Sequence, residues 1–126
     1  YMNKGTAVKT IILFDQTAPA GHARGPAPNP VAGDPHTNVW RYFTRPDGSL
    51  TAGLWDCSGG SFAIPSHPTD EMCSILEGEA LIEHADGTRI TVRAGDSFLI
   101  PHGTQTIWHV AKYVKKAFVC AAPGRQ

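Results

Sequence analysis

The 126 residues include 11 basic and 11 acidic side chains, neither sign gathered in a block, and 41% of the chain is apolar. That length suits one domain able to bury a core without staples. The balanced charge argues against a nucleic-acid partner, which needs a concentrated positive surface. No apolar run approaches a membrane-spanning length and no signal-peptide pattern opens the chain, so the expectation is a soluble, cytoplasmic protein with no membrane partner. Cys57, Cys73 and Cys120 are odd in number, lack a C-x-x-C spacing and read as reduced core thiols.

Tyr1 precedes Met2, where natural translation is expected to start, and Tyr1 is set aside. Ala7 to Asp15 is a β-rich run expected to pair as an edge strand. From Gln16 to Asn38, five prolines (Pro19, Pro26, Pro28, Pro30, Pro35) and three glycines exclude sustained helix and central strand. The spacing predicts an extended surface arm over residues 1–38, mobile or held against the remainder of the chain or a second subunit. His22 and His36 lie in it as exposed loop residues.

Residues 39–126 form the expected barrel. Asn38 to Thr44, Ser49 to Cys57 and Ser61 to Pro65 are strand-like, separated by a Pro46-Asp47-Gly48 turn and a Ser58-Gly59-Gly60 turn. Period-two patterning broken by Gly and Pro about every ten residues argues for an all-β sandwich or barrel. Lys112, Lys115 and Lys116 read as a solvated strand edge, since lysine protects exposed edges.

The chemistry concentrates between Ser66 and Gly103. A straight strand would hold His67 and Glu71 about 13 Å apart, but Pro68-Thr69-Asp70 folds the chain back and makes them neighbours. Glu71, in phase with Cys73 and Ile75, faces inward and requires a partner. An imidazole beside a carboxylate suits proton transfer. It also suits a divalent transition metal, for which two protein ligands are too few. Trp40, Trp55, Phe62 and Trp108 either line an aromatic pocket or pack the core. His84 and His102 fall on a hairpin and a loop, and His109 faces away from Trp108; none of the three is assigned a role.

An ordered set of short motifs spans Leu54 to Val119: Trp55-x-Cys57 with Gly60-x-Phe62, Asp70-Glu71-x-Cys73-x-Ile75-Leu76-Glu77-Gly78, Gly95-Asp96 with Pro101-x-Gly103, and Trp108-x-Val110 with Lys116. This set resembles the cupin superfamily, and more closely the small single-domain cupins grouped with ureidoglycine aminohydrolase-like and ethanolamine-utilisation proteins. The resemblance implies an RmlC-like antiparallel β-barrel or jelly roll, open at one end and often a homodimer. It implies His67 and Glu71 at the mouth as catalytic or metal-ligating residues, with Trp55, Phe62, Cys73, Thr106 and Trp108 as ligand-binding residues. Pro65 and Thr106 stand where the family's usual motifs carry two further histidines. Gln105 is the replacement third metal ligand, provided a bulge turns it inward.

Two functions follow as expectations. One is a cupin that binds a small polar metabolite and transfers a proton through Glu71 and His67, or binds it without turnover. The other is a metal-dependent isomerase, lyase or aminohydrolase using His67, Glu71 and Gln105. The cofactor is accordingly none or one divalent transition metal.

Overall fold

The computed structural model describes residues 8–15 and 21–124, which contain strands and no helix. The strands are β1 (Gly21–Pro26), β2 (Pro30–Gly33), β3 (His36–Thr44), β4 (Leu50–Ile64), β5 (Asp70–His84), β6 (Arg89–Arg93), β7 (Ser97–Ile100) and β8 (Thr106–Ala121). All pairings are antiparallel.

Three long strands, β4, β8 and β5, lie side by side and run through both halves of the fold. The first half of β4 pairs with β3, which carries β1 on its far side; the second half of β4 pairs with β2. In the same way β7 adds to the start of β5 and β6 to its end. Each long strand is interrupted near its middle: the β4–β8 register shifts between Ser58 and Gly60, and the β5–β8 register shifts between Ile75 and Glu77 and again between Gly78 and Leu81. Bulges bend strands and increase twist, so the shared strands fold over and two sheets face one another across a common core. The result is the antiparallel jelly roll expected of the sequence.

The bulges also reset side-chain parity. Along β4 the inward residues are Trp55 and Cys57 before the shift and Phe62 and Ile64 after it; along β5 they are Cys73 and Ile75, then Ala80 and Ile82. The core joins Cys57, Phe62, Cys73, Ile75, Ile82, Val92, Ile100, Trp108, Val110 and Val114. Trp108 is its centre, with an edge-on contact to Trp55 at 5.6 Å between centroids and a stacked contact to Phe62 at 6.1 Å.

Four expectations need correction. Ser58-Gly59-Gly60 is a bulge inside β4 and not a turn, because Gly60 takes a φ of +140° that lets the strand kink and continue. The described part of the 7–15 run forms no strand; Phe14 instead stacks on Tyr42 at 5.1 Å, anchoring the segment through a side chain. The proline-rich stretch is not wholly an arm. Its residues 16–20 lie outside the described residues, while 21–38 supply β1, β2 and the start of β3, with Pro26 and Pro30 at strand ends and Pro35 between strands, where a missing N–H interrupts no ladder. His22 and His36 therefore sit in strands, and Trp40 is stacked on His22 at 5.1 Å, away from the central aromatic group.

Gly78 combines a left-handed φ of +71° with a close backbone approach, and a Cβ there would overlap the Tyr113 carbonyl oxygen. Gly78→Ala is expected to cost about 2 kcal/mol or more, from left-handed strain plus backbone overlap, readable as a lowered urea midpoint. Unchanged stability would mean that the β5–β8 approach is looser than described.

Candidate functional site

His67 and Glu71 meet as expected, and the loops explain how. The segment between β4 and β5 is clamped to the segment between β7 and β8: His67 N–H donates to the Thr104 carbonyl at 3.0 Å, and Gly103 N–H donates to the His67 carbonyl at 2.8 Å. Asp70 accepts from His102 N–H at 2.8 Å. The Pro101-x-Gly103 motif is thus the mould that holds His67. Its Nδ1 lies 4.0 Å from Glu71 Oε1, and its Nε2 is 2.9 Å from Thr106 Oγ1.

The closest partner of Glu71 is Lys116, with Nζ 2.7 Å from Oε2. Cys73 Sγ donates to the same oxygen at 3.3 Å. Lys116 is buried, and its ammonium lies over the rings of Trp55 at 4.5 Å and Trp108 at 4.7 Å. The reading of Lys116 as a solvated edge residue is therefore wrong. β8 is central in the sheet, between β4 and β5, and Lys116 shares the inward parity of Trp108, Val114 and Phe118. That even-numbered spacing was present in the sequence and is the signal that identifies it.

The charges in this cluster follow from its surroundings. Burial pushes the Glu71 carboxyl up, but the Lys116 charge and hydrogen bond, with the Cys73 thiol and His67, outweigh it and leave the carboxyl below its ordinary value. Burial opposes the Lys116 ammonium as well, and Glu71 reverses this, holding Lys116 charged above its usual range. Burial lowers His67, so its imidazole is neutral at pH 7. The Cys73 thiol is pushed up to about 12, mainly by burial, and remains protonated.

A cavity of about 240 Å³ opens onto this cluster. Trp55, Phe62, Ile64, Trp108 and Phe118 form its apolar wall, and His67, Glu71 and Lys116 its polar floor. Arg41 also lines it, and no acidic residue pairs with Arg41 among the described residues. Of the other ligand-binding candidates, Cys73 and Thr106 are buried and absent from this lining; they hold Glu71 and His67 respectively. Arg41 and Lys116 are the site residues that sequence reasoning missed.

The donor set does not fit a divalent metal. Gln105 is exposed, precedes β8 and is not brought to His67 and Glu71, because Thr106 takes the inward position. Among the described residues no group of three or more His, Cys, Asp or Glu is placed to hold an ion. The Glu71 carboxylate already has an ammonium at 2.7 Å, and a second cation there would be repelled in a low-dielectric setting.

Comparison with known proteins agrees with this fold. The family described as the EutQ-like cupin domain matches residues 44–118. The uncharacterised protein YdbB of Bacillus subtilis is 37% identical over 62 residues, covering 48% of this chain and 53% of that protein, so the chain spans about half the length of this curated relative. The structure of a putative ethanolamine utilisation protein EutQ from Salmonella typhimurium is similar with a TM-score of 0.61 and 26% identity, covering 70% of this chain and 71% of that one. A Pseudomonas syringae protein of the DUF861 family gives a TM-score of 0.70 at 21% identity, covering 86% of this chain and 46% of that one, a likeness of fold alone. No helix among the described residues is long and apolar enough to cross a membrane. With a family match over more than half its length on an antiparallel jelly roll, the chain belongs to the EutQ-like cupin domain family.

Proposed function

We propose that the barrel-mouth cavity binds a small metabolite with an apolar or planar body and one anionic end, and that neutral His67 is the group that moves a proton there. The observation that carries this reading is the buried Lys116–Glu71–His67 cluster at the floor of an aromatic-walled cavity. Lys116 and Glu71 cancel each other, leaving Arg41 at the same cavity as a cation in no ion pair among the described residues, so an anionic group on the ligand completes the charge balance. Trp55 and Phe62 supply the surface for the body.

Glu71 is a weak base in this setting, since its charge is held by an ammonium. It positions Lys116, and Lys116 supplies the positive charge that would stabilise a developing oxyanion. His67 acts as general base, with Thr106 fixing its ring. Recognition without turnover uses the same contacts. A metal-dependent reaction is the less favoured reading, because Lys116 already supplies the cation.

Benzoate titrated against the protein, followed by tryptophan emission, tests the site. The expected result is a saturable change that Arg41→Gln weakens by roughly 10-fold or more, the usual loss for a hydrogen bond to a charged group. Glu71→Gln leaves the Lys116 ammonium uncancelled at the cavity and is expected to tighten benzoate binding. Binding that survives Arg41→Gln undiminished, or no saturable response to benzoate or to short aliphatic carboxylates, would overturn the reading.

A further inference from the structure

A second polar constellation lies on the opposite face of the same strands. Ser61 on β4 and His109 on β8 are direct cross-strand partners, and both follow the parity opposite to Phe62 and Trp108, so they point away from the core. Ser61 Oγ is 2.8 Å from His109 Nδ1, and His109 Nε2 is 3.2 Å from Glu83 Oε1 on β5. Arg89 Nε, on β6, lies 3.6 Å from the same Glu83 oxygen. The hydrogen positions follow from the acceptor. A carboxylate only accepts, so in the neutral ring the proton sits on Nε2; Nδ1 then presents its lone pair and the Ser61 hydroxyl donates to it. This is the arrangement that activates a serine, with the two ring nitrogens exchanged relative to the best-known triads.

The relay borders a cavity of about 370 Å³ lined by Gly60, Ser61, Glu79, Leu81, His109 and Ala111, among others. The cavity lies where the sheet parts: between the flanking pairs Gly78↔Val114 and Leu81↔His109, Ala111 and Lys112 have no register partner on β5, nor have they one on β4. Cross-strand Ser–His contacts alone are commonplace on sheet surfaces. A carboxylate on the far nitrogen, a cavity at the hydroxyl and unladdered backbone beside it are what separate this group from decoration.

We propose that Ser61, His109 and Glu83 form a nucleophilic site, distinct from the barrel mouth, that accepts small acyl esters. Ser61 Oγ attacks the ester carbonyl carbon while His109 Nδ1 takes the hydroxyl proton. The bond from the acyl carbon to the leaving oxygen breaks, and the alcohol departs with that proton. Water then attacks the acylated Ser61, again losing its proton to Nδ1; the acyl–Oγ bond breaks, Ser61 recovers the proton, and a carboxylic acid leaves. Ala111, in the unladdered stretch, borders the same cavity, and its backbone is where a donor for the oxyanion would lie.

The test is labelling of the full chain with an alkyl fluorophosphonate, in which Ser61 Oγ displaces fluoride at phosphorus, read by intact mass and peptide mapping. The expected result is one adduct per chain, on Ser61, lost when the protein is unfolded in urea. Ser61→Ala abolishes it, and His109→Gln slows it at least about 100-fold, the scale of general-base assistance. Glu83 acts through the ring, so Glu83→Gln slows labelling and Glu83→Asp restores part of the rate. Hydrolysis of p-nitrophenyl acetate follows the same order. No adduct on the native wild-type protein, an adduct on another residue, or a Ser61 adduct whose rate His109→Gln leaves unchanged would overturn the proposal.

Discussion

Lys116→Met is expected to destabilise the protein by about 3–5 kcal/mol, the cost of leaving one member of a buried ion pair without its partner. For a domain of this size that corresponds to a fall in Tm of roughly 12–20 °C. The Glu71 carboxylate has little access to water, and its shortest contact, at 2.7 Å, is the ammonium being removed. The remaining Cys73 thiol and the His67 ring cannot replace a full positive charge. Methionine keeps most of the volume between Trp55 and Trp108, so lost packing contributes little. Adding Glu71→Gln to Lys116→Met is expected to restore most of the stability, because the stranded charge disappears. A double variant no more stable than Lys116→Met alone would assign the loss to packing.

Acidification of the wild-type protein is expected to lower stability in two steps of the same sign. His67 has a folded value below its ordinary 6.5, so the unfolded chain binds its proton first; the stability from keeping the ring neutral is complete above pH 6.5 and is lost as the pH falls through the folded value. Glu71 has a folded value below its ordinary 4.5, so its contribution is complete above pH 4.5 and is lost as the pH falls further. Lys116 acts at the other end. Its folded value lies above 10.5, and its contribution, complete below pH 10.5, is lost as the pH rises through the folded value. In Lys116→Met the burial of Glu71 acts without its main opposing charge, so the carboxyl rises, and acidification relieves the stranded anion. The gap in Tm between wild type and variant is therefore expected to narrow as the pH falls from 7 toward 4. Thermal melts across that range check this; parallel curves would mean that Glu71 is not the titrating group.

Much of the architecture was legible because turn and strand chemistry is local. Gly95-Asp96 and Pro101-x-Gly103 each mark a chain reversal, and the structure uses each in that way: Asp96 Oδ2 accepts from Arg93 N–H, and Gly103 N–H reaches back to His67. The meeting of His67 and Glu71 followed from the Pro68 interruption between them. The bulge at Gly60 was not legible, since Ser-Gly-Gly serves a turn as well as a kinked strand and only the partner strand decides.

Lys116 was missed for a different reason. A lysine beside another lysine suggests solvent, and the prior for a buried ammonium is low; the competing signal, its even spacing from Trp108 along one strand, needed β8 to be recognised as central. Arg41 could not be found from spacing at all. Its place at the cavity depends on β3 pairing with β4, a contact between separate segments of chain. Trp40, an attractive pocket candidate by type, packs on His22 because Trp40 and His22 are register partners on β3 and β1.

Lys116 supplies the positive charge beside Glu71 that a metal ion would otherwise bring. Elemental analysis by mass spectrometry, on untagged protein purified without chelators or a nickel column, checks this. The expected result is manganese, iron, zinc and nickel each far below one per chain. One metal ion per chain in the wild-type protein, lost in Glu71→Gln, would contradict it.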